Sequence, residues 1–507
     1  MTSQSQEFLT HLGSLIHQLR EERGITQKTF ATKLGTAQSA IARIEAGQQN
    51  ISTEMLSRIS AVLERDLVNL SEGSLSIQIN GGKKLSGTIP VKTSKNAAVA
   101  LLAASLLNKS TTTLKRVPKI EEVHRLIEVL KSIGVSVVWN NGDLTITPPE
   151  KLSLSDIDAV AAGRTRSIIL FIGALLHRSK RFRIPQAAGC KLGARTIKPH
   201  LYALEELGVS ITTKHDNYTI EHKGLSSGRI VLYESGDTVT ENVLMAAALT
   251  PGTTTIRYAS ANYQVQDLCY FLETLGVKIE GIGTTTLVVH GIKEINTPVE
   301  YHLSEDPIEA MFFIAAAAVT RSAIKIERCP IDFLELELLT LEKMGFKYTA
   351  SKRYKAANGK TDLVDIKTRP SRLIAPSEKI HPRPYPGLNI DNLPFFAVIA
   401  TQAEGQTFIH DWVFENRAIY YKELDKLGAD TILGDQHRFY VTGPTKLKAQ
   451  EIVCPPALRP AAIILIAMLA AEGTSTLRNI YSINRGYEDL VKRLNSLGAD
   501  IHLLRSV

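Results

Sequence analysis

The segment of residues 188–195 holds one cysteine between two glycines, with two cations close behind it. Cys190 is followed by Lys191 and, after Gly193, by Arg195. Nearby positive charge lowers the pKa of a thiol and favours the thiolate, and glycine allows the backbone to approach a ligand closely. The segment therefore predicts a loop that covers an anion and presents a reactive thiol. Taken alone, these eight residues also fit a surface turn with an ordinary cysteine.

The size and charge of the chain limit the class of protein. Its 507 residues exceed what one hydrophobic core holds, so two or more domains are expected. The net charge of +8 favours anionic partners, phosphates or nucleic acid, without choosing between them. The start of the chain has no basic-then-apolar signal and no apolar run is long enough to span a bilayer, so we expect a cytoplasmic protein without a membrane partner.

The cysteines are scattered and show no paired spacing for zinc, which favours free thiols in a reducing compartment. They are Cys190, Cys269, Cys329 and Cys454. The chain likewise shows no cluster of residues with the spacing of metal ligands, and we expect neither a metal nor a bound organic cofactor.

Residues 8–70 have apolar positions at helical spacing and two glycine turns. The pattern predicts that one helix ends at Gly24, that Thr26 caps the next, and that Thr36 caps a third after Gly35. Two short helices joined by a glycine turn, with polar side chains at the start of the second, are typical of a helix-turn-helix. Residues 71–75 are polar and predict a linker.

This segment resembles the lambda-repressor-like helix-turn-helix family, through Gly-Ile-Thr-Gln-Lys at 24–28, Leu-Gly at 34–35 and the run from Ser39 to Gly47. The resemblance implies a DNA-binding domain over residues 1–70. The side chains that it turns toward DNA are Gln27, Gln38, Ser39 and Arg43. Such modules usually bind DNA as dimers, so a homodimer is possible. A helical protein-contact module without DNA contacts is the alternative.

The rest of the chain repeats one unit, in which a helix ends at a glycine and runs into a strand. The repeated glycines are Gly134, Gly208, Gly276, Gly345, Gly428 and Gly498. Between these units lie alanine-rich helices that are apolar on all sides and are therefore expected to be buried on all sides. The pattern predicts an α/β fold of two lobes with three units each, in which the helices pack together inside and the sheets lie outside. The resemblance given below implies that each lobe is an inside-out barrel. One lobe takes residues 95–304 and the other takes 76–94 with 305–507.

Charged residues stand where the inner helices are expected to begin. A helix N-terminus offers free N–H groups and partial positive charge, so several converging termini would bind an anion. Lys95, Arg166 and Arg459 open such helices and Asp391 precedes another. Each of these residues alone fits a surface ion pair or a helix cap.

Their order and spacing resemble the enolpyruvyl transferase family over residues 76–507, and most closely its branch that acts on UDP-N-acetylglucosamine. The matching motifs are Ser94–Ala98, Thr165–Ser167, Gly189–Arg195, Val413–Arg417, Leu458–Arg459 and Arg485–Glu488. The resemblance implies transfer of the enolpyruvyl group of phosphoenolpyruvate to a hydroxyl of a nucleotide sugar, with phosphate released. In that family the reaction serves peptidoglycan precursor synthesis and passes through a tetrahedral intermediate.

The resemblance also assigns residues. Cys190 matches the general acid, Asp391 the general base, and Lys95 and Arg417 the cations at the reacting centre. The matching substrate-binding residues are Asn96, Arg166, Arg195, His200, Phe414, Arg459 and Arg485.

Several positions depart from the family pattern where the nucleotide is held. Lys198 replaces an aspartate, and Glu234 and Asp237 stand where the family tends to hold phosphates with a lysine and small residues. Asn262 and Gln264 replace acids, and residues 372–388 form an insertion rich in proline and cations. The sequence therefore leaves open that the acceptor is not the standard UDP-sugar. A transcription regulator that uses the transferase fold as a metabolite sensor, or a bifunctional protein, is the alternative from another class.

Overall fold

The computed structural model describes residues 9–10, 12–14, 16–17, 20–21, 25–49, 51, 53–63, 75–155, 157–186, 196–214 and 217–505. The predicted loop at 188–195, with Cys190 and Arg195, lies outside these residues. So do residues 71–74 of the predicted linker, whereas Leu75 begins the first strand. By contacts the chain forms two units, Met1–Gln78 with Thr476–Tyr481 and His502–Val507, and Ile79–Ser475 with Ser482–Ile501.

The first unit contains the three described helices α1 (Gln27–Leu34), α2 (Gln38–Glu45) and α3 (Thr53–Val62). Thr26 caps α1 as predicted, because its Oγ1 accepts a hydrogen bond from the N–H of Thr29 at 3.2 Å. Gly35, at φ 60°, ends α1. Phe30, Leu34, Ile41, Ile44 and Ile59 form the buried core of this unit.

The predicted cap at Thr36 is wrong. The residue before α2 is Ala37, which is extended and has no capping side chain. The N–H of Thr36 donates to the carbonyl of Ala31 at 3.0 Å. Thr36 therefore belongs to the closing turn of α1 and lies one residue too early to cap α2.

From Leu75 onward the described chain is a mixed α/β structure with six sheets, which confirms the predicted fold class. After β1 (Leu75–Gly81) and β2 (Ser86–Pro90), one group of elements follows. It comprises α4 Lys95–Ala104, β3 Thr112–Lys115, α5 Glu121–Ser132, β4 Ser136–Asn140, β5 Asp143–Thr147, α6 Ala159–Arg164, α7 Phe171–Leu175, β6 Arg181–Pro185, α8 Lys198–Glu205, β7 Val209–Lys214, β8 Asn217–His222, β9 Arg229–Val231, α9 Asp237–Ala248, β10 Gly252–Arg257, α10 Tyr263–Thr274, β11 Lys278–Glu280, β12 Thr286–Gly291 and β13 Val299–His302.

A second group follows along the chain. It comprises α11 Pro307–Val319, β14 Ala323–Pro330, α12 Glu335–Lys343, β15 Lys347–Ala350, β16 Tyr354–Lys355, β17 Asp362–Arg369, β18 Leu373–Ile374, α13 Leu393–Ala400, β19 Ala403–His410, α14 Glu423–Lys426, β20 Asp430–Leu433, β21 Arg438–Gly443, β22 Glu451–Val453, α15 Leu458–Ala470, β23 Gly473–Arg478, α16 Tyr481–Asn484, α17 Leu490–Ser496 and β24 Ile501–Arg505. Short 3-10 turns cover Ser105–Leu107, Arg166–Leu170, Ile331–Phe333 and Ala418–Lys422.

The sheets divide between the two groups. The first group has the strand orders β13-β3-β5-β4, β6-β8-β7 and β11-β12-β10-β9, and the second has β15-β17-β14-β2, β18-β19-β21-β20 and β22-β23-β1-β24. β1 and β2 thus join the sheets of the second group. Each repeated glycine has a positive φ, between 87° and 92°, which glycine adopts without strain.

The alanine-rich helices are buried between the sheets, as predicted. In the second group α11, α13 and α15 pack against one another, and every residue of α11 and α13 is buried. In the first group α4 contacts α7, α9 and α10. This packing sets the starts of α4, α9, α13 and α15, which carry the charged residues considered next.

Candidate active site

Lys95 opens α4, and the helix starts there because Ser94 caps it. The Oγ of Ser94 accepts a hydrogen bond from the N–H of Ala97 at 3.1 Å. Burial lowers the pKa of Lys95, and the guanidinium groups of Arg485 and Arg459 lower it further, while Glu122 and Asp391 act in the opposite direction. Five charged side chains from five separate segments are therefore close enough to act on one another.

Glu122, in the first turn of α5, holds several of these segments together. Its Oε1 accepts hydrogen bonds from Thr165 Oγ1 at 2.5 Å and Ser167 Oγ at 2.9 Å. Its Oε2 accepts one from Nε of Arg485 at 2.7 Å. Burial alone would raise the pKa of Glu122, but the charges of Lys95 and Arg485 and the hydrogen bonds outweigh burial and lower it to about 2. Glu122 is therefore a buried carboxylate.

Asp391 lies just before α13 and between two arginines. Its Oδ2 is 3.3 Å from Nη2 of Arg459 and its Oδ1 is 3.9 Å from Nη1 of Arg417. Arg417 is fully buried and forms a two-pronged ion pair with Asp411, at 2.6 and 2.8 Å. The ring of Phe414 lies 4.6 Å from the same guanidinium. Such bidentate pairs fix the plane of an arginine.

A second carboxyl lies beside Lys95. Asp306 caps α11, accepting a hydrogen bond from the N–H of Ile308 at 2.8 Å, and its other oxygen is 3.5 Å from the N–H of Lys95. Burial raises the pKa of Asp306 to about 6, although the positive charge of Arg459 opposes the rise. A carboxyl with such a pKa exchanges a proton near neutral pH, which suits acid–base chemistry.

Polar residues of α4, α8, α9 and α10 form two further pairs in polar contact. Nδ2 of Asn96 donates to the hydroxyl of Tyr263 at 2.9 Å. Nδ1 of His200 lies 2.9 Å from Nδ2 of Asn242. Burial, together with the charge of Arg166, lowers the pKa of His200 to about 4, so His200 is neutral at pH 7.

The structure thus brings together most of the residues that the sequence singles out. The contacts and charges above connect Lys95, Asn96, Asp391, Arg417, Arg459 and Arg485, and separately connect Arg166 with His200. Cys190 and Arg195 lie outside the described residues. The three other cysteines are free and buried, and burial raises the pKa of Cys454 to about 12. They are therefore protonated thiols at neutral pH.

Sequence reasoning missed Glu122, Asp306 and Asp411. Asp306 has a signal, since an aspartate before Pro307 is a typical start of a helix. Glu122 and Asp411 have none, because their partners are identified only by the fold. Within the described ranges no three metal-ligating side chains gather where they could hold an ion, and no described helix is long and apolar enough to cross a membrane.

Comparison with known proteins decides the family. The EPSP synthase family (3-phosphoshikimate 1-carboxyvinyltransferase) matches residues 79–494. The chain belongs to this family of enolpyruvyl transferases. A relative from Treponema denticola, named UDP-N-acetylglucosamine 1-carboxyvinyltransferase, is 36% identical, with 84% of this chain and 98% of the relative covered. One of the same name from Bradyrhizobium diazoefficiens is 33% identical, with 83% and 96% covered.

Solved structures of other enolpyruvyl transferases have the same fold. The enolpyruvyl transferase NikO from Streptomyces tendae is 26% identical with a TM-score of 0.73, covering 85% of this chain and 99% of that one. EPSP synthase from Acinetobacter baumannii, at 19% identity and a TM-score of 0.66 over 85% of this chain and all of that one, shares the fold.

The N-terminal segment matches the helix-turn-helix family over residues 16–70, as the sequence predicts. Gln38, Ser39 and Arg43 are exposed on α2. Gln27 differs from them, because it is half-buried and its Nε2 donates to Glu45 at 2.8 Å. Glu45 also pairs with Arg20 inside this unit, at 2.5 Å.

Proposed function

We propose that this enolpyruvyl transferase moves the enolpyruvyl group of phosphoenolpyruvate to a hydroxyl of a nucleotide sugar, in the synthesis of peptidoglycan precursors. UDP-N-acetylglucosamine is the first acceptor to test, because it appears in the names of the relatives. The observation that carries the proposal is the cluster of contacts in which Asp391 lies beside Arg459 and Arg417 while Glu122 holds Arg485. The charges of Arg459, Arg485 and Asp391 all act on Lys95.

The donor explains why cations must gather in a secluded cleft. Phosphoenolpyruvate carries a phosphate and a carboxylate, which bind best to charged donors away from water. Lys95 and Arg417 are assigned to the phosphate and the reacting centre, and Arg459 and Arg485 to the carboxylate. Asp411 fixes Arg417 in place, and Glu122 does the same for Arg485, so both guanidinium groups are preorganised before the donor binds.

Two proton transfers accompany the addition. The acceptor oxygen forms a bond to the central carbon of the donor as its proton passes to Asp391, and Cys190 gives a proton to the methylene carbon. In the elimination the new methyl group returns a proton to the Cys190 thiolate, the carbon–carbon double bond re-forms and the carbon–oxygen bond to phosphate breaks. Phosphate leaves with the proton that Asp391 took from the acceptor hydroxyl. Asp391 suits the base role because its carboxylate is 26% exposed and can accept a proton from a bound hydroxyl. Arg417 and Arg459 hold this carboxylate in place.

Phosphate release tests the proposal directly. Purified protein with phosphoenolpyruvate and UDP-N-acetylglucosamine is expected to release phosphate and form the enolpyruvyl ether, with no release when either substrate is omitted. A panel of nucleotide sugars extends the test to other acceptors. No release with any member of the panel, from protein that binds phosphoenolpyruvate, would contradict the proposed transfer.

A second function is DNA binding through residues 1–70, which the exposed side chains of α2 support. A gel shift of the full chain with the DNA upstream of its own gene tests this. Turnover then separates the alternatives: a bifunctional protein shifts DNA and releases phosphate, whereas a regulator that uses the transferase fold as a sensor shifts DNA without turnover.

A further inference from the structure

Asp237 begins α9, and two hydrogen bonds hold its carboxylate in place. Its Oδ1 accepts a hydrogen bond from Ser260 Oγ at 2.5 Å and its Oδ2 accepts one from Nδ2 of Asn262 at 3.1 Å. The side chain is nevertheless partly exposed. A carboxylate that is fixed by two donors and still open to solvent has lone pairs left for a ligand.

A short chain of contacts connects Asp237 to the reacting centre. Asn262 is followed by Tyr263, whose hydroxyl accepts the hydrogen bond from Asn96, the neighbour of Lys95. Burial raises the pKa of Asp237, the hydrogen bonds from Ser260 and Asn262 lower it, and the charge of Asp391 raises it. Asp237 therefore lies near Lys95 and the proposed base, beside the starts of α9 and α10.

A second, independent observation indicates an unmet hydrogen-bonding need at this place. Glu241 lies four residues after Asp237, so the two share a face of α9. Glu241 is 1% exposed, and its Oε1 has no hydrogen-bond partner within the part of the chain that the structure describes. Asp237 and Lys95 both act on its charge, so this unpartnered carboxyl lies close to both of them.

We propose that Asp237 binds the acceptor and selects it by charge. Its carboxylate receives a hydrogen bond from a hydroxyl or ammonium group of the acceptor and repels a phosphate at that position, so that Asp237 is a specificity-determining residue. The inference rests on the proposed function, because Lys95 and Asp391 define where the acceptor lies. A repulsive element of this kind raises specificity without adding an attractive contact.

The test compares two ligands that share one sugar and differ in charge. UDP-N-acetylglucosamine and methyl N-acetylglucosaminide are titrated calorimetrically into the full-length protein in the presence of phosphoenolpyruvate. In the variant Asp237→Asn the side chain keeps its shape and loses its charge. We expect this variant to bind UDP-N-acetylglucosamine roughly tenfold more tightly than the native protein, and to bind the neutral glycoside no more tightly.

Two further variants make the result interpretable. Asp237→Ser removes the charge with a smaller side chain and is expected to shift the affinity in the same direction, so one misfolded variant does not decide the outcome. Glu280→Gln removes a charge from an exposed carboxylate on β11, which pairs with Lys278 on the surface, and is expected to leave both affinities unchanged.

Failure of this inference differs from failure of the proposed function. Equal binding of UDP-N-acetylglucosamine by native protein, Asp237→Asn and Asp237→Ser overturns the charge selection, even where phosphate release is rapid. Absence of phosphate release with every acceptor, together with tighter binding by the two Asp237 variants, supports the charge selection and contradicts the transfer.

Discussion

Glu122 is a buried carboxylate that holds other residues of the proposed site in place. It joins Arg485 to Thr165 and Ser167, which flank Arg166, and its charge acts on Lys95. Breaking a buried ion pair by removing one charge leaves the partner without compensation. Glu122 is therefore a positioning residue, which acts on the donor through the cations that it holds.

We expect Glu122→Gln to lower kcat/KM for phosphoenolpyruvate roughly a hundredfold, because a small displacement of Arg485 and Lys95 is enough to disturb the reacting geometry. Steady-state phosphate release measures this. Glu128→Gln, on the same helix α5, removes a charge that pairs with Arg125 and serves as the control. Equal losses in the two variants would contradict the positioning role.

The stability of the protein should depend on pH through the same residue, Glu122. Folding lowers the pKa of Glu122 from 4.5 to about 2. The ionised carboxylate therefore stabilises the fold fully above pH 4.5, and this contribution, about 3 kcal/mol, disappears as the pH falls toward 2. Urea unfolding should show a larger difference between native protein and Glu122→Gln at pH 7 than at pH 3. A difference that is independent of pH would contradict the assignment.

Cys190 carries the third prediction at the scale of a residue. Removing a general acid typically costs 10²–10⁴-fold in rate, so Cys190→Ala is expected to lose turnover by about that factor. A thiol-alkylating reagent should inactivate the native enzyme by reacting with Cys190. The other cysteines, Cys269, Cys329 and Cys454, are buried and protonated and react slowly because the thiolate is the reactive form. Cys454→Ala is the control. Full activity of Cys190→Ala would contradict the acid role.

Some of the site can be predicted from single residues and some cannot. Lys95 and Arg459 stand at the starts of apolar helices, so local pattern alone predicts that they converge at helix termini. Glu122 and Arg485 are 363 positions apart, and only the closing of the fold shows that they pair. Asp411 resembles any aspartate after a strand until Arg417 is seen beside it. No local sequence pattern predicts which charged residues form such ion pairs.

At the scale of elements, the helix-terminating glycines and the apolar inner helices are predictable because each is set within one turn of chain. The predicted cap at Thr36 was wrong because two turns compete for adjacent residues there. The closing turn of α1 includes Thr36, so Thr36 does not cap α2. The order of strands in the six sheets was not predicted, since pairing depends on which helix covers each sheet.

The contact between α7 and α9 gives a prediction about an element. A Cβ added at Gly173 would lie 2.3 Å from the carbonyl oxygen of Asn242, the residue that contacts His200. We expect Gly173→Ala to destabilise the protein by about 1–3 kcal/mol and to weaken acceptor binding. Gly163→Ala, in α6, meets nothing within 4 Å and should stabilise by about 0.5–1 kcal/mol. Urea unfolding measures both, and equal effects would contradict the prediction.

Helix α2 carries the prediction for DNA. Arg43 is exposed on this helix, and we expect it to contact a DNA phosphate. Arg43→Ala should therefore weaken binding to all DNA sequences alike and reduce the salt dependence of binding by about one ion. Fluorescence anisotropy of the full chain with Arg43→Ala at several salt concentrations measures this. Lys84→Ala, an equal charge change outside the helix-turn-helix, is the control. An unchanged salt slope would contradict DNA contact through Arg43.

At the scale of the whole molecule, the side chains assigned to transfer and those assigned to DNA lie in different units. All the described side chains assigned to transfer lie in the unit Ile79–Ser475 with Ser482–Ile501. The transferase family matches residues 79–494, and the helix-turn-helix family matches residues 16–70. The two relatives are matched over 96–98% of their own length but over only 83–84% of this chain.

A chain that begins at residue 71 should therefore retain turnover while it loses DNA binding. We expect its kcat/KM to stay within about twofold of the full chain, because domains with their own core fold independently. Phosphate release and the gel shift are measured on the same two preparations, with circular dichroism as the control for folding. A folded but inactive truncated chain would mean that the first residues take part in catalysis, and the separation of the two functions would be wrong.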